Sequence, residues 1–214
     1  MTAPRQQSES VHRLPNTPMV RFKRFLGRAW LTANGWHSTG ELPTLPRLVL
    51  IAAPHTSNWD LVFMLAIAWD MGFEVRWIGK HTLFQGPLGP LMRWTGGLPI
   101  DRSKRANQVD QAAAAIRGAE KILLAIAPEG TRSRAPHWKS GFYHIALAAH
   151  VPILCGFLDY ENKVGGFGPL VEPTGDLETD FAKLRAFYGP IKGKYPENFG
   201  PIALAPKKAD LPKP

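Results

Sequence analysis

A histidine stands five residues ahead of an aspartate in Pro54-His55-Thr56-Ser57-Asn58-Trp59-Asp60, directly after the apolar run Leu48-Val49-Leu50-Ile51. Imidazole is the usual general base at neutral pH. A carboxylate beside it fixes its tautomer and stabilises the imidazolium that forms. That pair makes up two members of a Ser-His-Asp triad. No serine occupies a Gly-x-Ser-x-Gly turn, so no protein nucleophile is evident. None is needed if the base activates a hydroxyl of the substrate itself. Taken alone the pairing is weak, because chance often produces that spacing. None of the other six histidines has an Asp or Glu five residues downstream.

Two further clusters add weight: Asp101-Arg102, and Glu129-Gly130-Thr131-Arg132. An arginine fork matches a phosphate through paired hydrogen bonds, and a glycine lets backbone approach a ligand closely. Each cluster by itself also reads as a surface ion pair. Metal chemistry is not indicated, since there is no Cys/His group at zinc spacing and no Gly-Lys-Ser/Thr phosphate loop. The single cysteine, Cys155, lies inside an apolar run and reads as a small buried residue. One cysteine forms no internal disulfide, which fits a reducing compartment.

The elements that must position these residues follow from hydrophobic pattern. Leu48–Ala53 is short and apolar without alternation, as a strand buried on both faces must be. A helix follows to Met71, with Ser57 or Asn58 as its cap and Gly72 at its end. Further strands are expected at Glu74–Ile78, after Gly97, at Lys121–Ala127 and at Ile153–Leu158, with helices around Leu91–Thr95, Asn107–Arg117 and Gly141–His150. Val164–Val171 reads as an added, antiparallel strand and Leu177–Tyr188 as a helix. Alternating strands and helices predict an α/β domain with a central, mostly parallel mixed sheet flanked by helices. In such sheets ligands collect at the carboxyl ends of the strands, which puts all three polar clusters on one edge.

The chain has 214 residues and a net charge of +9, which calls for an anionic partner: a membrane surface, an acidic protein or substrate, or nucleic acid. Residues 1–36 divide into a polar, proline-containing arm, expected to be loose, and an amphipathic helix. In that helix Phe22, Phe25, Leu26, Ala29, Trp30 and Ala33 share one face, with Arg21, Lys23, Arg24 and Arg28 mostly opposite. Such a helix either lies in a membrane interface or packs on the domain. Residues 37–46 read as a connector, 37–190 as the domain, and 191–214 as an extended Pro/Lys-rich tail. No apolar run reaches the ~18 residues of a spanning helix, and the polar amino terminus lacks a signal segment. A cytoplasmic protein, peripheral on the membrane's cytoplasmic face, is expected.

Taken together, the three clusters resemble the motif blocks of the glycerolipid acyltransferases, the lysophosphatidic acid acyltransferase group. His55-Thr-Ser-Asn-Trp-Asp60 is similar to the family's H-x4-D motif, and Gly97-Leu-Pro-Ile-Asp101-Arg102 to its G-x4-R block. Pro128-Glu129-Gly130-Thr131-Arg132-Ser133 resembles the third block, and Val151-Pro152-Ile153 the fourth, with Cys155 where a second proline is common. The resemblance implies transfer of a fatty acyl group from acyl-CoA or acyl carrier protein to a lysophospholipid hydroxyl, without a further cofactor. His55 would be the base and Asp60 its orienting carboxylate. Gly97, Arg102, Glu129, Gly130, Thr131 and Arg132 would surround the acceptor's phosphate. Backbone N–H groups near Gly130 or after Pro54 are candidate oxyanion donors. Two alternatives stay open: a different lysolipid or hydroxylated amine lipid as acceptor, and a noncatalytic lipid- or nucleic-acid-binding module.

Overall fold

The computed structural model describes residues 10–100 and 108–206. Seven strands among them form one sheet: β1 (His37–Thr39), β2 (Arg47–Ala53), β3 (Arg76–Lys80), β4 (Gly97–Ile100), β5 (Ile122–Ile126), β6 (Ile153–Asp159) and β7 (Val164–Val171). Their order is β1-β7-β6-β2-β5-β3-β4. Every neighbouring pair is parallel except β6–β7. The expected mostly parallel mixed sheet is therefore present.

β2 lies in the interior of the sheet because both of its faces are apolar. Val49, Ile51 and Ala53 join the core on one side, together with α4 (Gln108–Gly118), α5 (Gly141–Ala149) and α6 (Leu177–Tyr188). Leu48 and Leu50 join the core on the other side, beneath α2 (Trp59–Met71). A strand sandwiched in this way has no solvent face to mark with polar residues, which explains the unbroken run. Because β2, β3, β4, β5 and β6 are mutually parallel, their carboxyl ends share one edge. His55 follows β2, Glu129 follows β5 and Tyr160 follows β6 at that edge. β4 runs out toward Asp101-Arg102, which lie outside the described residues.

Helix α1 (Pro18–Ala33) begins at Thr17, whose hydroxyl accepts the Val20 N–H at 3.3 Å. It packs across α2 at Gly27, where a Cβ would stand 2.5 Å from the Ala66 carbonyl oxygen. Leu31 and Trp36 join Phe63, Ala66 and Ile67 of α2 in a small separate core. The expected apolar stripe is thereby split. Trp30 turns toward that core, while Met19, Phe22 and Phe25 stay exposed at 54%, 54% and 68%. Docking on the domain and presenting an outward aromatic face are thus two faces of one helix.

Three segments differ from expectation. The arm is not loose over residues 10–17, because Leu14 N–H donates to the Gly72 carbonyl at 2.8 Å and His12 is buried with its ring 2.8 Å from the Leu45 carbonyl. The connector holds strand β1, paired in parallel with β7. Residues 191–206 are not an extended tail, since Ile191 and Ile202 are buried and Trp138 N–H donates to the Ala203 carbonyl at 2.9 Å. All three rest on backbone hydrogen bonds to distant partners, which leave no mark in composition or period.

Candidate active site

The chain leaves β2, turns at Pro54 and enters α2, and within that turn the proposed base meets its carboxylate. His55 Nδ1 lies 3.2 Å from Asp60 Oδ2. The same oxygen accepts the N–H groups of Thr56 at 2.7 Å and Ser57 at 2.8 Å. Asp60 therefore reaches back to the two residues before Asn58, alongside the cap that the sequence placed at Ser57 or Asn58. The Asn58 side chain makes no capping bond, but the Ser57 hydroxyl accepts the Trp59 N–H at 3.2 Å and so caps the helix start. A carboxylate here also meets the positive end of the helix dipole. A carboxylate oxygen can only accept, so in the neutral ring Nδ1 carries the proton and Nε2 the lone pair. The His55 side chain is 27% exposed and that of Asp60 6%, so the imidazole is reachable and its partner is not.

The other oxygen of Asp60 accepts the Tyr160 hydroxyl at 2.8 Å. Burial pushes the Tyr160 pKa up, and the Asp60 charge adds to it, so the phenol stays a donor. Trp36 packs edge-on at 4.8 Å and Phe63 at 5.7 Å against its ring. From the folded-back segment, Lys194 Nζ sits 5.7 Å from the same ring, and Tyr195 N–H donates to the Thr56 hydroxyl at 3.2 Å. Sequence reasoning missed all three residues. The position of Tyr160, immediately after a parallel strand, was the available signal for one of them.

Glu129 packs inward. It is 3% exposed, and its Oε1 accepts the His55 backbone N–H at 2.9 Å. Oε2 is buried with no partner among the described residues. Burial raises its pKa to about 7, against the lowering effect of the His55 bond. Glu129 ties the His55 backbone to the end of β5 and does not line the cavity. Gly97 is likewise not at the cavity, because it packs under Trp77 and Phe84, where a Cβ would meet each at 2.7 Å. Gly130, at φ 65, leaves room for the Lys139 side chain to cross it. Gly130, Thr131 and Arg132 do line the cavity, and Arg132 donates to the Asn58 side chain. Four of the oxyanion candidates are already committed: His55 N–H to Glu129, Thr56 and Ser57 N–H to Asp60, and Gly130 N–H to the Ala127 carbonyl.

The cavity runs between the sheet and α2 and encloses about 550 Å³, within the roughly 300–1,000 Å³ of small-molecule sites. His55, Thr131 and Arg132 contribute polar groups from the strand-end edge. Leu50, Leu61, Met64, Phe73, Trp77 and Phe167 supply apolar wall. Cys155 is fully buried and its thiol is pushed up to about 12, so it offers no thiolate nucleophile. Among the described residues, no group of three His, Cys, Asp or Glu could hold a metal ion.

The family model described as Acyltransferase matches residues 38–156, more than half of the chain. The chain belongs to the acyltransferase family. Over 108 residues it is 37% identical to a 1-acyl-sn-glycerol-3-phosphate acyltransferase of Salmonella typhimurium, covering 48% of this chain and 43% of that one. It is 32% identical over 130 residues to an enzyme of the same name from Limnanthes alba, covering 58% and 45%. The matched region is thus less than half the length of these relatives. The crystal structure of a 1-acyl-sn-glycerophosphate (LPA) acyltransferase from Thermotoga maritima superposes with a TM-score of 0.55 at 15% identity, covering 78% of this chain and 75% of that one, and shares the fold. The resemblance drawn from the motif blocks is therefore correct at the level of family.

The buried Glu129 has a measurable signature. Between its ordinary value of 4.5 and about 7, the folded protein holds a proton that the unfolded chain has released. Stability therefore falls as pH rises through that window. Urea unfolding across it is expected to show a loss of up to about 3 kcal/mol that Glu129→Gln largely removes. Equal slopes in the two proteins would refute the assignment.

Proposed function

We propose that the protein is an O-acyltransferase that moves a fatty acyl group from a thioester to the hydroxyl of a lysophospholipid, with 1-acyl-glycerol-3-phosphate as acceptor and phosphatidic acid as product. The observation that carries this reading is the Nδ1-anchored His55 at the polar edge of an apolar cavity. Such a cavity suits an alkyl chain, and a base at its edge suits a hydroxyl attacking the chain's carbonyl. His55 Nε2 takes the acceptor's proton as its oxygen bonds to the thioester carbon. The tetrahedral intermediate then collapses, the C–S bond breaks, and the imidazolium returns the proton to the leaving thiolate. Asp60 stabilises the imidazolium between the two steps. A thioester is already activated, so no metal is required.

Arg132 and Lys139, which flank Gly130, are the cations offered to the acceptor's phosphate, with Arg102 added on the strength of the motif. The donor is acyl-CoA or acyl carrier protein, and both are anionic partners for a chain of net charge +9. Among the described residues no helix is long and apolar enough to cross a membrane. The exposed Met19, Phe22 and Phe25, with the basic residues of α1, form the face offered to the cytoplasmic leaflet. Lys23 lies 4.2 Å over the ring of Trp94, linking α1 to the short helix α3 (Gly89–Trp94), whose Leu91 and Trp94 are also exposed. Each basic residue at an anionic surface contributes about 1 kcal/mol.

Acyl transfer by His55→Ala should fall by at least about 100-fold, in line with general-base contributions, and activity near wild type would overturn the assignment. Mass spectrometry of products from a lysolipid panel reports the acceptor, with lysophosphatidate expected to exceed phosphate-free acceptors. In sedimentation with anionic-lipid vesicles, the double variant Phe22→Asp, Phe25→Asp should stay in the supernatant while its melting temperature is unchanged. Wild-type-like sedimentation would remove α1 from the membrane face.

A further inference from the structure

We propose that Tyr160 is a positioning residue of the acyl-transfer site, fixing the second oxygen of Asp60 and so setting the orientation and basicity of His55. The inference rests on the acyltransferase reading and concerns a residue outside the motif blocks.

Asp60 has an uneven set of partners. Three donors converge on Oδ2: His55 Nδ1, Thr56 N–H and Ser57 N–H. The terminal torsion of an aspartate is broad and nearly two-fold, so one crowded oxygen does not by itself lock the carboxylate plane. The Tyr160 hydroxyl on Oδ1 supplies the missing constraint. It acts from a separate element, the turn between β6 and β7, and so references the dyad to the sheet as well as to α2. Trp36, Phe63 and Lys194 surround the ring, leaving it little freedom. A donor held on a carboxylate also draws off charge that would otherwise act on the imidazolium. Tyr160 therefore tempers how tightly His55 keeps its proton.

The charged and titratable groups facing this assembly are few. Glu129 approaches from the end of β5 and holds the His55 backbone. Lys194 and Tyr195 approach from the folded-back segment. Lys163, in the β6–β7 turn, lines a small cavity with Tyr160 and Lys194, and Arg132 is tied to Asn58. Of these, Glu129 titrates in the range where a histidine base is assayed, so pH profiles are recorded with and without Glu129→Gln.

The test is acyl transfer by the full chain carrying Tyr160→Phe. Losing an outer partner of a catalytic group typically costs activity rather than affinity. A kcat on the order of 10-fold lower is expected, by analogy with outer-shell partners of metal ligands, with KM for both substrates unchanged. Asp60 then carries more charge and holds the imidazolium more tightly, so the acid limb of the kcat profile moves to higher pH. Replacing the same tyrosine with 3-fluorotyrosine, a stronger donor of nearly the same shape, should move the limb the opposite way. If the phenylalanine variant does not fold, the fluorinated protein carries the test alone. A limb that stays in place in the folded variants overturns the proposal, whatever happens to kcat. An active His55→Ala would instead overturn the acyltransferase mechanism, so the two failures are separable.

Discussion

The site depends on one carboxylate. Asp60 is nearly buried, and four donors converge on it: two backbone N–H groups at the start of α2, the His55 ring and the Tyr160 hydroxyl. A buried charge is tolerated only when its hydrogen bonds are made. Here the groups that satisfy it are also the groups to be positioned. The capping bonds fix the turn after β2, the phenol fixes the carboxylate plane, and the remaining direction is the one that holds the imidazole by Nδ1. A residue that looked like a catalytic accessory is equally the start of a helix.

The sheet brings the other partners to that point. Parallel pairing of β2 with both β5 and β6 delivers His55, Glu129 and Tyr160 to one edge. Glu129 then clasps His55 by its backbone, and Tyr160 reaches Asp60. The apolar wall under α2 continues inward from the same edge, so the polar mouth with His55 and the apolar interior share a boundary. α1 adds an outward aromatic face because Gly27 lets it lie close enough to α2 to dock without using its phenylalanines.

Much of this was legible in the sequence, and the rest was hidden for definite reasons. Buried strands such as Leu48–Ala53 announce themselves by an unbroken apolar run, and α6 by its period. His55 and Asp60 were readable because both lie within one turn. The inward packing of Glu129 was not, since its motif neighbours line the cavity and only the three-dimensional fold turns its carboxyl to the His55 backbone. Gly97 was read as a contact residue, but Trp77 and Phe84 require its missing side chain. Tyr160, Lys194 and Tyr195 reach the site across long stretches of chain, and no local spacing encodes that convergence. The arm and the returning segment were misjudged because polar, proline-containing sequence was equated with looseness, whereas their backbones are bonded to the domain.

The central claim is that Asp60 holds His55 as the Nδ1–H tautomer, leaving Nε2 as the base. Nitrogen NMR of protein labelled at histidine, with His55 assigned by difference from His55→Gln, measures this directly. Above the pH at which the ring loses its proton, Nδ1 should appear protonated and Nε2 unprotonated. A ring protonated at Nε2, or one averaging between the two tautomers, would contradict the claim.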